Sequence, residues 1–304
     1  MIIGIDHGYG FIKTAHTEFV TGIAYFDDKP ATQNNCILYN GKYCVVGGTR
    51  QPVMIDKTEN DNYYIMTLAA IAKEMELIKT TKAKVTLCAG LPLQYFSTQQ
   101  KKFAEYLKKN KTVKFQFEDK NYGIEIEKVM LFPQGLAAVS SLSSVDFNGT
   151  VYLIDIGSNT IEIVPLVNGE PNMNELNTLA LAGVIKAYKM VNKAIAPIYN
   201  IELSETQIMD VILDRKSTLP DAARNIVENA LKEYSKLIVD SLLEHQISIQ
   251  LSKCVFIGGG ATVIKKYSNL TSLPNINFVD EIHANAIGYE KLGKQMTKGK
   301  QVSK

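Results

Sequence analysis

Two short segments carry the same chemical pattern: Ile2-Ile3-Gly4-Ile5-Asp6-His7-Gly8-Tyr9-Gly10-Phe11-Ile12-Lys13, and the stretch from Val151 through Asp155, Gly157, Ser158, Asn159 and Thr160 to Val164. Each is an apolar β-type run, then Asp-x-Gly with two small or turn-prone residues, then a second β-type run. This is a strand, a tight turn and a strand, with a carboxylate at the first strand's end and glycine where backbone must approach a ligand. One copy is a common hairpin. Two copies half a chain apart imply duplicated domains that grip one ligand.

The elements that must position these segments follow from periodicity. A third strand of the first meander is expected over 19–25, and a hairpin over 36–46 turns at Asn40-Gly41, a strong turn signal. Helical spacing covers 62–79, and a buried strand over 85–91 stops at Pro92. A helix over 97–109 has Ser97 or Thr98 as its cap. Strands at 113–117 and 122–126 form another hairpin, and a strand over 129–132 ends at Pro133. A small-residue helix follows over 135–144. The second half is richer in helix, with 3.6-type patterns over 182–194, 204–213 and 221–246 and a capping box at Ser204-Glu205-Thr206-Gln207. A buried strand over 254–257 runs into Gly258-Gly259-Gly260-Ala261, a helix starts near Thr262, and Phe278-Val279 is a short strand. A last helix over 283–292 leaves a frayed tail from Gly293.

Composition narrows the classes. The 304 residues suffice for two domains with cores, and 46% hydrophobic with 21% charged residues is ordinary for a globular protein. Net charge is +2, and arginine occurs only at Arg50, Arg215 and Arg224, a poor stock for bidentate phosphate or base readout. Direct nucleic-acid or membrane binding is therefore not expected. Cys36, Cys44, Cys88 and Cys254 are scattered without metal spacing and read as reduced, buried thiols. Met1 leads straight into a strand, and no apolar run approaches the roughly 18 residues of a membrane helix, so a cytoplasmic location is expected. The four histidines show no pairing; His7 points to the opposite strand face from Asp6. A heptad-like stripe over 231–249 reads as core.

The order of motifs resembles the actin, Hsp70 and sugar-kinase superfamily: Asp-x-Gly hairpin, Pro133-Gln134-Gly135 with a small-residue helix, Asp-x-Gly hairpin, Gly258-Gly259-Gly260 after a strand, then the small residues Ala284, Ala286 and Gly288. It is most similar to bacterial actin-like filament proteins of the ParM type. That resemblance implies an α/β chain with the actin/Hsp70/sugar-kinase (ribonuclease H-like) fold, two similar domains around a nucleotide cleft. The first would span 1–150, with 282–304 packing back on it, and the second 151–281. It further implies a first phosphate loop with Asp6, Gly8, Tyr9, Gly10 and Lys13, and a second with Asp155, Gly157, Ser158, Asn159 and Thr160. Asp6 and Asp155 would face Mg2+ through water. Gly258, Gly259, Gly260 and Ala261 would form the adenosine loop, with Gly183 at a helix start near the nucleotide and Arg215 and Lys216 near ribose and base. Gln134 would orient the attacking water, since an amide is not a base. Gly135, Ala137 and Ala138 would cross Ala284, Ala286, Ile287 and Gly288 closely, and Phe26, Tyr63 and Tyr64 would lie near longitudinal filament contacts.

The implied activity is hydrolysis of ATP (or GTP) coupled to self-assembly into dynamic filaments. Plasmid segregation through a separate DNA-binding adaptor is the implied role. A small-molecule phosphotransferase, an exopolyphosphatase-like enzyme and a non-segregation scaffold of the same superfamily remain alternatives; sugar kinases need a carboxylate base where this chain has Gln134.

Overall fold

The computed structural model describes residues 1–302 apart from Ser143 and Met173, and the chain divides into two units, Met1–Val145 with His283–Lys304, and Asp146–Ile282. In the first, β1 (Ile2–His7) and β2 (Phe11–Lys13) form the Asp-x-Gly hairpin, with Asp6 opposite Lys13. β3 (Glu18–Val20) continues the meander, but the strand expected over 19–25 breaks at Thr21-Gly22. The remainder, β4 (Ile23–Phe26), crosses to the opposite sheet edge. The break has a local cause: the amide and hydroxyl of Thr21 both turn inward to the Gly8–Gly10 loop. β5 (Cys36–Tyr39) and β6 (Lys42–Val46) flank Asn40-Gly41, both at positive φ as a two-residue hairpin turn requires.

α1 (Asn62–Leu77) is buried on nearly every side, which corrects one expectation: Tyr63 and Tyr64 are core residues and present no assembly surface, whereas Phe26 is exposed. β7 (Lys82–Leu91) precedes α2 (Leu93–Leu107), whose start lies four residues earlier than expected. Pro92, with its fixed φ, opens the helix, so Ser97 and Thr98 sit inside it rather than capping it. β8 (Thr112–Phe117) pairs with β9 (Lys120–Pro133), one strand where two were expected. Glu127 is skipped in its register with β7, a bulge that lets a single strand carry both apolar runs. α3 (Leu136–Val139) is shorter than the helix expected over 135–144, part of which, Ser143, lies outside the described residues.

The second unit opens with β10 (Thr150–Ile156) and β11 (Ile161–Val167), the second Asp-x-Gly hairpin, followed by β12 (Glu170–Pro171) and β13 (Asn177–Leu179), both on β11. α4 (Val184–Tyr199) runs past the expected end at 194, through Pro197. α5 (Glu205–Ile212) carries the expected capping box at Ser204 and Gln207. α6 (Asp221–Glu244) buries Leu231, Tyr234, Ile238 and Leu242 in the core, so its stripe is packing. β14 (Lys253–Ile257), α7 (Ala261–Tyr267) and β15 (Ile276–Phe278) complete the unit.

The two units share one core plan. The first sheet contains the order β3-β2-β1-β7-β9, and the second reads β12-β11-β10-β14-β15. In each, the hairpin strand that ends in Asp-x-Gly pairs antiparallel on one side and parallel on the other. Both hairpin turns therefore lie at the C-terminal end of a central strand, where parallel α/β sheets place their ligands.

The final helix, α8 (Ala284–Val302), returns to the first unit and packs on β1, β7 and α3. It does not fray at Gly293, because that residue seats against Cys88 and Met130 while Tyr289 is fully buried. Close approach is the rule along this helix: a side chain at Gly4 would strike the Ala286 carbonyl, and one at Gly288 would strike the Ala137 carbonyl. All four cysteines are free and buried. Since backbone cannot retreat as a flexible side chain can, Gly288→Val is expected to destabilise the protein by about 3 kcal/mol. Urea denaturation monitored by circular dichroism measures this, and an unchanged midpoint would contradict the close packing of α3 on α8.

Candidate functional site

In the first unit, Gln134 follows β9 and donates from Nε2 to Asp6 Oδ1 at 2.8 Å. Its backbone amide is held by the Leu91 carbonyl, and the amide of Gly135 by Asn285 Oδ1 of α8, 2.9 Å away. With its NH2 donating to Asp6, the Gln134 carbonyl oxygen is the end able to accept a hydrogen bond from a water. Structure thus brings together two residues that the sequence separates by 128 positions.

The loop between β1 and β2 is fixed from behind. Lys57 Nζ donates to the His7 carbonyl at 2.5 Å, Thr21 Oγ1 to the Gly8 carbonyl at 2.8 Å, and the Thr21 amide to the Gly10 carbonyl at 2.8 Å. Both donors' side chains come from fully buried residues. In a trans peptide the N–H points opposite to the C=O, so the amides of Gly8 and Tyr9 face away from these donors. The Tyr9 side chain is buried with its ring 5.0 Å from Lys57 Nζ, so Tyr9 offers backbone alone to a ligand. Lys13 lies directly across from Asp6, and its ammonium is 3.9 Å from Glu18 and 5.8 Å from the Phe11 ring centroid. His7 is no part of this set: it is wholly buried, its Nε2 meets Thr67 Oγ1 at 2.8 Å, and burial drives its pKa down to about 3.

The second unit reaches the same result by other means. The carbonyls of Gly157, Ser158 and Asn159 accept from the amides of Val184, Ile185 and Gly183, the first turn of α4. The amides of Ser158, Asn159 and Thr160 are thereby turned outward, while the Gly157 amide closes the turn on the Thr160 carbonyl. Gly183 stands at a helix start, as expected: its amide seats the loop, and a side chain there would strike Gly157 and Ser158 backbone. Gly258, at φ +85°, leaves room for the Asp155 carboxylate, and Gly260 packs on Ile156 and Val184. Gly259 alone of these three faces open space and is the one whose surface a ligand can cover. Ala261 is buried as the first residue of α7.

Arg215 and Lys216 are exposed, and Arg215 lies 4.0 Å from Asp210 of α5. Their neighbour Asp214 is held by Lys266 in the last turn of α7, opposite the glycine turn and about 10 Å along the helix from it.

One residue that the motif reading passes over is Glu162. It lies directly across from Asp155, as Lys13 lies across from Asp6, and laying one hairpin on the other would have pointed to it. Glu162 is buried; Thr178 donates to its Oε2 at 2.6 Å, while Oε1 has no hydrogen-bond partner among the described residues. Burial, reinforced by the Asp155 charge, raises its pKa to about 7. Among the described residues no cluster of three or more His, Cys, Asp or Glu could cage a metal. A carboxylate at a strand end, as Asp155 is, would suit instead a cation that keeps its own waters, which is the habit of magnesium. Lys57 and Thr21 were likewise invisible to motif reading, since no local pattern marks either.

Comparison with known proteins follows the same division. Residues 4–136 match the family model for the actin like proteins N terminal domain, and residues 150–282 match that for the Alp7A C-terminal domain. No curated protein sequence matches the chain. Among solved structures, the actin-like protein Alp7A aligns at TM-score 0.76 and 15% identity, covering 100% of this chain and 99% of that one. An archaeal actin homologue in complex with ADP gives TM-score 0.75 at 17% identity over 97% and 99% of the two chains. The subunit of a 15-stranded ParM filament from Clostridium botulinum gives 0.74 at 24% identity, again over 97% and 99%.

The Glu162 site makes a pH prediction for the protein without nucleotide or metal. The unfolded side chain loses its proton near pH 4.5 and the folded one near 7, so between these values the folded state holds more protons and stability falls as pH rises. Above pH 7 the penalty, about 3 kcal/mol, is fully present. Glu162→Gln keeps an acceptor for Thr178 and should remove that decline, making the variant more stable than the parent at pH 8. Thermal melts in EDTA across this range check it; parallel curves for both proteins would refute it.

Proposed function

We infer, for a chain that belongs in both halves to the actin-like proteins and has their fold, that it binds ATP (or GTP) with Mg2+, hydrolyses it and assembles with its own copies into filaments. The observation that carries this is the pair of Asp-x-Gly loops, one per unit, each with its carbonyls taken from behind and its amides turned outward. In this reading each loop receives phosphate. The amides of Gly8 and Tyr9, and of Ser158, Asn159 and Thr160, receive phosphate oxygens, with Lys13 adding a point charge. Asp6 and Asp155 would hold magnesium through its waters. Bound magnesium would neutralise charge on the transferring phosphoryl group. Gly259 lies against the nucleoside, and Gly258 and Gly260 let the turn sit close to Asp155 and Ile156.

Gln134, oriented by Asp6, places a water for attack, as glutamines do in other nucleotide hydrolases. Glu162 is the carboxyl group able to take a proton near neutral pH. Polymerisation is supported by the likeness to filament-forming ParM, and plasmid segregation through a DNA-bound adaptor fits a chain with net charge of only +2. Among the described residues no helix is long and apolar enough to cross a membrane, and a cytoplasmic location is part of the same proposal.

Light scattering after addition of ATP and magnesium tests the whole reading. The signal should rise and then decay as phosphate is released, and electron micrographs at the plateau should show filaments. No rise across a wide protein range would overturn the filament. Two substitutions separate the roles. Asp155→Ala is expected to abolish metal-dependent hydrolysis in a folded protein. Gln134→Ala should slow turnover on the order of 100-fold with little change in nucleotide affinity, prolonging the scattering plateau. Unchanged turnover in the latter would assign water placement elsewhere.

A further inference from the structure

Lys57 lies in the irregular stretch between β6 and α1, and it is 1% exposed. Its ammonium makes no ion pair with a carboxylate among the described residues. It donates to the His7 carbonyl, at the base of the first Asp-x-Gly loop, and lies 5.0 Å from the Tyr9 ring centroid and 5.6 Å from that of Tyr63. A buried, unpaired ammonium is among the most expensive groups a protein can hold, and the two aromatic faces offset only part of that cost. The stretch that delivers it is braced. Asp56 accepts from the amide and hydroxyl of Thr58 and from Lys102 of α2, while Tyr106 of α2 donates to the Asn60 carbonyl. The position is therefore built, and the charge is kept where solvent cannot relax it.

We propose that Lys57 is a positioning residue for the phosphate chain, locking the His7–Gly8 peptide with its amide outward and holding a fixed positive charge behind the loop that receives the anion. The proposal rests on the nucleotide reading of that loop. Two consequences are joined in it. The hydrogen bond decides which way the loop amide faces, and the charge makes affinity depend on the number of phosphates. Burial lowers the Lys57 pKa to about 8 while Asp6 pulls it back up, which leaves the side chain mainly charged at neutral pH. Thr21 secures the Gly8 and Gly10 carbonyls with neutral groups, so Lys57 is the one charged member of the three contacts that face the loop from inside.

The test is the ratio of affinities for ATP and for adenosine, each measured by calorimetry with magnesium at pH 7 on the full chain. Lys57→Met keeps length and apolar bulk and removes the donor and the charge. It should weaken ATP binding on the order of 10- to 100-fold and shift adenosine binding by less than about twofold. ADP should fall between the two. If Lys57→Met fails to give a cooperative melt, Lys57→Gln, which retains an N–H donor, carries the same comparison; a lower ATP-to-adenosine ratio supports the proposal. An unchanged ratio in the folded variant, including equal loss for both ligands, overturns it, because a purely structural residue would weaken both alike. A parent protein that binds neither ATP nor ADP would instead bring down the nucleotide reading itself.

Discussion

Everything at this site depends on where the carbonyls of two short loops find their donors. A peptide group carries a donor and an acceptor on opposite sides, so satisfying one side from within the protein commits the other side to the exterior. In the first unit, Lys57 and Thr21 take the carbonyls of His7, Gly8 and Gly10. In the second, the first turn of α4 takes those of Gly157, Ser158 and Asn159. One side uses buried side chains and the other a helix N-terminus. The helix amides there are already satisfied by protein, so the amides left facing outward are those of the loop rather than of the helix end.

The duplication is one of backbone, and the chemistry differs between the copies. Across from Asp6 stands Lys13, and across from Asp155 stands Glu162. The first loop also has a buried ammonium behind it, whereas the second has a buried carboxyl whose pKa is raised to about 7. One loop is thus suited to holding negative charge and the other to managing cations and protons.

The return of α8 to the first unit is what steadies Gln134. Asn285 holds the Gly135 amide, Gly288 lets α3 come against the helix, and Gly4 lets the helix lie on β1 beside Asp6. The Gln134–Asp6 bond is therefore supported by chain from three distant regions, and its geometry is a property of packing rather than of the local turn.

Legible in the residues alone were the two hairpins, the motif order, the strand-to-glycine turn at Gly258–Gly260, the core stripe of α6 and the capping box at Ser204. These are governed by side-chain alternation, turn residues and local hydrogen bonds, all readable over a few positions. Element ends were less legible. The start of α2 at Leu93, the split at Thr21-Gly22 and the continuity of β9 through Glu127 answer to neighbours in space. Only the tertiary structure decided that Lys57 and Thr21 back the first loop, that Gly183 seats the second, that Glu162 faces Asp155 from a buried position, and that Gln134 is tied to Asp6. Those assignments depend on burial and on partners far away in the chain, and a lysine becomes an unusual group only when its surroundings remove the water that would otherwise solvate it.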